Sequence, residues 1–271
     1  MKISKYIYGC RRSLTYYLYN ETKRWLVISL QRVSLLREKI KSYNKYPFNV
    51  PVIRNFTELE FKNKVTFFVG ENGSGKSTLL ESIADNCGFN LSGGGQNNVY
   101  ENDIEETTLS DYLRLSWLPK VNNGFFLRAE SFYNFATYLD ELNEEEFTGD
   151  VYGPYGGISL HKQSHGESFL SLFNNRFNDK KALYLLDEPE AALSPARQLS
   201  LLKIIHDLST NSNTQFIIAT HSPILLGYPD ATILSFDGEQ IEETSYEMTE
   251  HYQITKYFLE NPKGMLRELF K

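Results

Sequence analysis

Residues 70–78 read Gly70-Glu71-Asn72-Gly73-Ser74-Gly75-Lys76-Ser77-Thr78, a complete G-x-x-x-x-G-K-[ST] pattern. The apolar run Val65-Thr66-Phe67-Phe68-Val69 precedes it, and residues 78–84 follow with helical spacing. Strand, loop and helix in that order are the context this pattern requires. Glycines there let backbone N–H groups turn inward around the β- and γ-phosphates, at the positive end of a helix. Lys76 is expected to neutralise phosphate charge and the Ser77 hydroxyl to ligate Mg²⁺. A bound nucleoside triphosphate is the expectation.

A chain of 271 residues can bury a full core. Cys10 and Cys87 form no C-x-x-C pair, which fits a reduced, cytoplasmic setting and gives no zinc framework. The apolar stretch at 25–30 is cut off by Gln31 and Arg32, far short of the roughly 20 residues a bilayer span needs. It also lacks a signal-peptide cleavage pattern. Direct membrane insertion is therefore not expected, and a membrane role would need a separate partner subunit.

The net charge of −6 hides an asymmetry. Residues 1–45 carry 11 Lys and Arg against Glu21 and Glu38, while the rest of the chain is strongly acidic. A basic, Tyr-rich extension over 1–24 has the composition of a nucleic-acid or anionic-lipid contact. It equally suits a solvated arm that pairs with the protein's own acidic surface, the preferred reading. Residues 25–271 are expected to form the folded domain.

Along that domain, edge strands are expected at 25–36 and 49–61, the second broken by Pro51. Further strands are expected at 65–69, 113–118, 125–127, 182–186, 215–219 and 232–236. Helices are expected at 77–87, 131–142, from 166, and at 195–209, 252–259 and 264–270. Strands alternating with helices imply an α/β fold, a mostly parallel sheet covered on both sides.

Two further motifs narrow the chemistry. Leu183-Tyr184-Leu185-Leu186-Asp187-Glu188 is a buried strand pattern ending in two carboxylates. Asp187 is placed to hold Mg²⁺ through water, and Glu188 to polarise an attacking water, a role worth about 10²–10⁴-fold in rate. Thirty-four residues after Asp187, the strand at 215–219 runs into Thr220-His221-Ser222-Pro223. A His at such a strand end can reach the γ-phosphate. Between them, Gln163-Ser164-His165-Gly166-Glu167-Ser168 has Ser164 as an N-cap with Glu167 three positions on. A capped helix start also presents donors to a phosphate.

These features together resemble the ABC-type ATPase head over roughly residues 30–240. The pieces fall in the family's order: phosphate loop Gly70 to Thr78, signature Ser164 to Ser168, acidic strand end, the loop Ala192-Leu193-Ser194-Pro195, and His221. The resemblance implies the P-loop NTPase fold with an antiparallel edge and a helical lid subdomain at about 100–180. It implies Mg²⁺-dependent ATP hydrolysis catalysed by Glu188, His221 and Lys76. It also implies an ATP-dependent homodimer, in which one copy's loop and the other's Ser164, Gly166 and Glu167 enclose each nucleotide. Two positions depart from the family: His165 replaces the first glycine of L-S-G-G-Q, and Ser194 stands where an Asp is usual.

Leu91-Ser92-Gly93-Gly94-Gly95-Gln96 looks more like that signature, yet it lies 15 residues after Lys76 with no apolar helix behind it. It is read as a loop. The family's glutamine loop has no clear counterpart; Glu130 is the candidate for its metal contact, with Arg128 as the alternative. Ile53-Arg54-Asn55-Phe56 is similar to soluble RecF- and SMC-like heads, which implies nucleotide contacts for Arg54 and Asn55. Tyr46 or Phe48 is a candidate for stacking on adenine. The preferred reading is a soluble switch or motor that acts on a protein partner. A membrane-transporter subunit and a nucleic-acid-handling or phage-defence ATPase are the alternatives.

Overall fold

The computed structural model describes residues 28–91, 108–144, 150–163, 165–176, 181–212 and 214–271. The extension at 1–24, Ser164, and residues 92–96 of the Gly-rich loop lie outside them.

Six strands form the main sheet in the order β5 (Gly124–Arg128), β6 (Leu183–Asp187), β7 (Gln215–Ala219), β3 (Val65–Val69), β8 (Thr232–Ser235) and β9 (Glu242–Thr244). The first five run parallel and β9 closes the edge antiparallel. Every residue of β3, β6 and β7 is buried. Strands covered on both faces are apolar at successive positions, which is why these three read as nearly continuous apolar runs, with Thr66 and Gln215 the buried polar exceptions before the strand ends.

Alternate residues of those strands feed opposite cores, as the two-residue period of a strand demands. Phe67, Tyr184, Leu186 and Phe216 join one cluster with α3 (Phe132–Glu144), α4 (His165–Arg176) and α5 (Pro195–Asn211). Phe68, Leu183, Leu185 and Ile217 join the other with α2 (Lys76–Asn86). That second core is roofed by a separate antiparallel sheet in the order β2 (Glu58–Glu60), β1 (Leu30–Leu35), β4 (Leu113–Trp117). The architecture is therefore the expected α/β arrangement with an antiparallel edge.

Some elements depart from the sequence reading. Residues 49–61 are not one strand: α1 (Pro51–Asn55) precedes β2, with Val52 and Ile53 buried. Pro51 opens that helix at its first turn, where the missing N–H costs nothing and the fixed φ fits. The one-turn helix Pro223–Leu226 and strand β9 are likewise not expected from the sequence; β9 is a Glu-Glu-Thr edge too short and polar to show periodicity. Among the described residues no helix is long and apolar enough to cross a membrane.

Candidate nucleotide site

Parallel strands bring their carboxyl ends to one edge of a sheet, where such folds bind ligands. Here β6, β7 and β3 are neighbours, and in register Asp187 pairs with Ala219 and Phe68 with Ala219. The loop after β3, the acidic pair after β6 and His221 after β7 are thus adjacent.

The loop 70–75 turns through Gly70, Gly73 and Gly75, at φ 143°, 81° and 102°. At Gly75 a side chain would also press on Val50 and Ile53, so α1 backs the loop. Lys76 is buried and folds back, donating to Gly70 O at 2.6 Å and Glu71 O at 2.8 Å. Burial pushes its ammonium below the usual lysine range, opposed by the carboxylates of Glu188, Asp237, Asp187 and Glu190. The Ser74 hydroxyl is buried with no hydrogen-bond partner among the described residues. An orphaned donor beside a ring of loop amides suits an anionic ligand.

Ser77 Oγ donates to Asp187 Oδ1 at 3.0 Å. Burial pushes the Asp187 carboxyl up to about 7, with the Arg128 guanidinium and the Ser77 hydroxyl working against it. One hydroxyl and one desolvated carboxylate suit a divalent ion that keeps several waters and takes its remaining oxygens from phosphates. Among the described residues no group of three or more His, Cys, Asp or Glu could hold a metal by itself. The donor set therefore fits a magnesium delivered with its nucleotide.

Glu188 has φ 49° and ψ 50°, a left-handed conformation unusual for a side-chain-bearing residue. Such strain, costing about 1–3 kcal/mol, persists where the surroundings over-determine it, and it clusters at functional sites. Glu188 N donates to Ala219 O at 2.9 Å, and its Oε1 lies 3.5 Å from His221 Nε2. The His221 backbone N–H donates to Glu190 Oε1 at 2.5 Å. Burial, Lys76 and His251 all hold the His221 ring below the usual imidazole range, opposed by Glu188. Ser222 caps the following α6 (Pro223–Leu226) by accepting from the N–H groups of Ile224 and Leu225.

The remaining expected residues fall less centrally. Glu130 is a correction: its side chain is 71% exposed and pairs with Arg128 at 3.0 Å, so it does not join Ser77 and Asp187. Arg128 does, with Nε 3.7 Å from Asp187 Oδ2 while its other nitrogens hold Glu81 and Glu130. Arg54 is exposed on α1, and Asn55 Nδ2 is engaged with Glu239 O at 3.0 Å. Phe48 is buried against the edges of the Tyr43 and Tyr112 rings and has no free face for adenine. Tyr46 remains exposed, its hydroxyl 2.9 Å from Thr78 Oγ1. Glu71 and Asn72 are exposed on the loop. Gly166 lies against Arg197, where a Cβ would stand 2.1 Å from a guanidinium nitrogen, and Glu167 is 3.6 Å from the same group. These two sit on the α4–α5 side.

Three participants escaped the sequence reading. Asp237 follows β8 and accepts from Glu71 N at 2.6 Å, tying the loop to the sheet. Its place directly after an expected strand was a usable signal. Glu190 and His251 carried none, a carboxylate and an imidazole in polar surroundings.

Two family models match the chain, an AAA domain over residues 38–150 and an AAA ATPase domain over residues 156–226. The phosphate import ATP-binding protein PstB 1 of Vibrio cholerae is 26% identical over 242 residues, covering 80% of this chain and 83% of the relative. The probable branched-chain amino acid transport ATP-binding protein LivF of Archaeoglobus fulgidus is 32% identical over 146 residues, 49% of this chain and 60% of that one. Among solved structures, the ATP-binding cassette MJ1267 aligns with TM-score 0.48 at 16% identity, covering 87% of this chain and 97% of that one. The SMC head domain from Thermotoga maritima aligns with TM-score 0.42 at 17% identity, covering 80% and 99%. Fold, loop and strand-end residues define a P-loop ATPase. Within that class the chain is similar to ABC-type ATP-binding proteins.

Proposed function

We propose that the chain hydrolyses Mg·ATP in a site completed by a second copy of itself, and that the cycle of closure and release drives a partner protein. The observation that carries this reading is the convergence of Ser77, Asp187, Glu188 and His221 at the ends of three adjacent strands.

In this reading the amides of residues 71–78 and Lys76 hold the β- and γ-phosphates. Lys76 exchanges its two carbonyl partners for phosphate oxygens, and Ser74 donates its otherwise unpaired hydroxyl. Ser77 and Asp187 hold the magnesium of the substrate, which draws off charge from the β- and γ-phosphate oxygens. Glu188 accepts a hydrogen bond from the attacking water and orients it in line with the γ-phosphorus. His221 donates Nε2–H to a γ-phosphate oxygen. Gly166 and Glu167, at the start of α4, close on the γ-phosphate of the partner copy. The γ-phosphate then bridges two subunits, and its loss reopens them. Arg54 and Asn55 stand behind the loop through α1 and act on its position.

A second reading, a subunit bound to a membrane permease, is supported by the transport names of the relatives in Vibrio cholerae and Archaeoglobus fulgidus. Affinity purification of a tagged chain from its native cells separates the two. A stoichiometric membrane-spanning partner supports transport, and a partner without membrane spans supports the first reading.

A further inference from the structure

A second histidine touches the first. His221 Nδ1 lies 2.7 Å from His251 Nε2, with ring centroids 4.8 Å apart and planes inclined by 56°. His251 belongs to α7 (Glu250–Glu260), 30 residues further along the chain. We propose that His251 is a positioning residue: it donates its Nε2–H to His221 Nδ1 and so fixes His221 as the tautomer with its proton on Nε2. This rests on the reading of His221 as the donor to the γ-phosphate.

Two nitrogens 2.7 Å apart share one proton, and the direction of sharing decides what the opposite nitrogen of His221 can do. If His221 donated from Nδ1, its Nε2 would carry a bare lone pair. That lone pair would face the Glu188 carboxylate at 3.5 Å and could only repel a phosphate oxygen. If His251 donates, Nε2–H of His221 points at Glu188 and at the space a γ-phosphate would fill. Nε2 is buried, and apart from Glu188 Oε1 at 3.5 Å it has no polar partner among the described residues, so a proton there is available to a ligand oxygen. The charged groups around the ring are Lys76, Glu188 and Glu190, the last engaged with the His221 backbone rather than the ring. His251 is the neighbour at Nδ1.

The start of α7 is fastened to the same loop. Tyr246 Oη donates to Pro223 O at 2.9 Å, two residues past His221. The Tyr246 and Tyr252 rings pack at a tilt with centroids 4.5 Å apart, and Thr249 is buried with its hydroxyl on Tyr246 O. Thus His251 is held against His221 by contacts on both sides of it, and an orienting group so fixed can set a tautomer.

The test combines steady-state ATP hydrolysis with long-range ¹H–¹⁵N spectra of the full chain labelled at its five histidines. The wild-type His221 ring should show a protonated Nε2 and an unprotonated Nδ1. His251→Leu should lower kcat by about 10- to 100-fold with little change in KM, the mark of an interaction used in the transition state. His251→Gln carries an amide donor at about the reach of the imidazole Nε2 and should restore most of kcat, which a purely structural role would not predict. A His221 protonated on Nδ1, or an unchanged kcat in His251→Leu, overturns the proposal. His221→Ala runs alongside. If its kcat is unchanged, the reading of His221 itself fails, and the wild-type spectrum still decides which ring donates.

Discussion

Ser77 and Asp187 stand 110 residues apart in the chain and 3.0 Å apart in space, hydroxyl to carboxylate. One follows β3 and the other ends β6, with β7 between them, so their meeting is set by strand order rather than by any local sequence. The contact brings two separate motifs together as the pair proposed to hold magnesium. It also leaves a carboxylate desolvated beside a phosphate loop, and that has a consequence for stability.

Burial raises the Asp187 carboxyl from 3.8 to about 7, and the nearby Arg128 only partly offsets it. The folded chain therefore keeps a proton at Asp187 that the unfolded chain releases above about pH 4. Stability falls with pH wherever the folded state binds more protons. For the nucleotide-free protein the contribution of Asp187 should decline as pH rises from about 4 to about 7. Thermal melts of wild type and Asp187→Asn across that range check it: the difference should move in favour of Asn as pH rises. A difference independent of pH would contradict the assignment.

Removing the lysine should separate binding from folding. Lys76 makes its two hydrogen bonds to carbonyls of its own loop. Lys76→Ala should fold, because those carbonyls border the open site, and should weaken nucleotide binding on the order of 100-fold, the worth of a charge-assisted contact or two. Titration with a fluorescent ATP analogue measures it. Wild-type affinity in the variant would rule out the loop as the triphosphate site.

Gly124 is fixed by space rather than by φ. A Cβ there would stand 2.2 Å from Leu183 O and 2.4 Å from the Phe89 ring. The oxygen belongs to the β6 backbone and cannot swing aside. Gly124→Ala should cost about 3 kcal/mol, at the upper end of overpacking penalties, and denaturant unfolding would read it. The strain falls on the strand that carries Asp187, so ATP turnover should drop along with stability.

Much of this was legible in the sequence because the central strands bury both faces. Leu183 to Leu186 and Phe216 to Ala219 are unbroken apolar runs, and the polar residues that end them were visible as strand-end chemistry. The glycine loop declares itself, since only glycine tolerates its positive φ angles without cost. What the sequence hid depends on which strands are neighbours. Arg128 reaches Asp187 because β5 lies beside β6 in register, a pairing no local pattern encodes, so a local reading favours Glu130 over it. Pro51 reads as a break in a strand although it opens a helix, since a proline signals a boundary without saying on which side order begins. His251 sits on a largely exposed helix, where a lone imidazole carries no signal until tertiary structure sets it against His221.

In the proposed cycle two copies share each ATP, and their closure depends on the γ-phosphate. Glu188→Gln keeps the strained backbone position and the shape of the side chain but removes the carboxylate that would polarise water. Its molar mass in solution, measured by light scattering with and without Mg·ATP, reports that closure. A shared site predicts a monomer without nucleotide, a stable dimer with Mg·ATP, and hydrolysis reduced by about 10²–10⁴-fold. A variant that hydrolyses ATP at the wild-type rate, or that stays monomeric while holding uncleaved ATP, would contradict it.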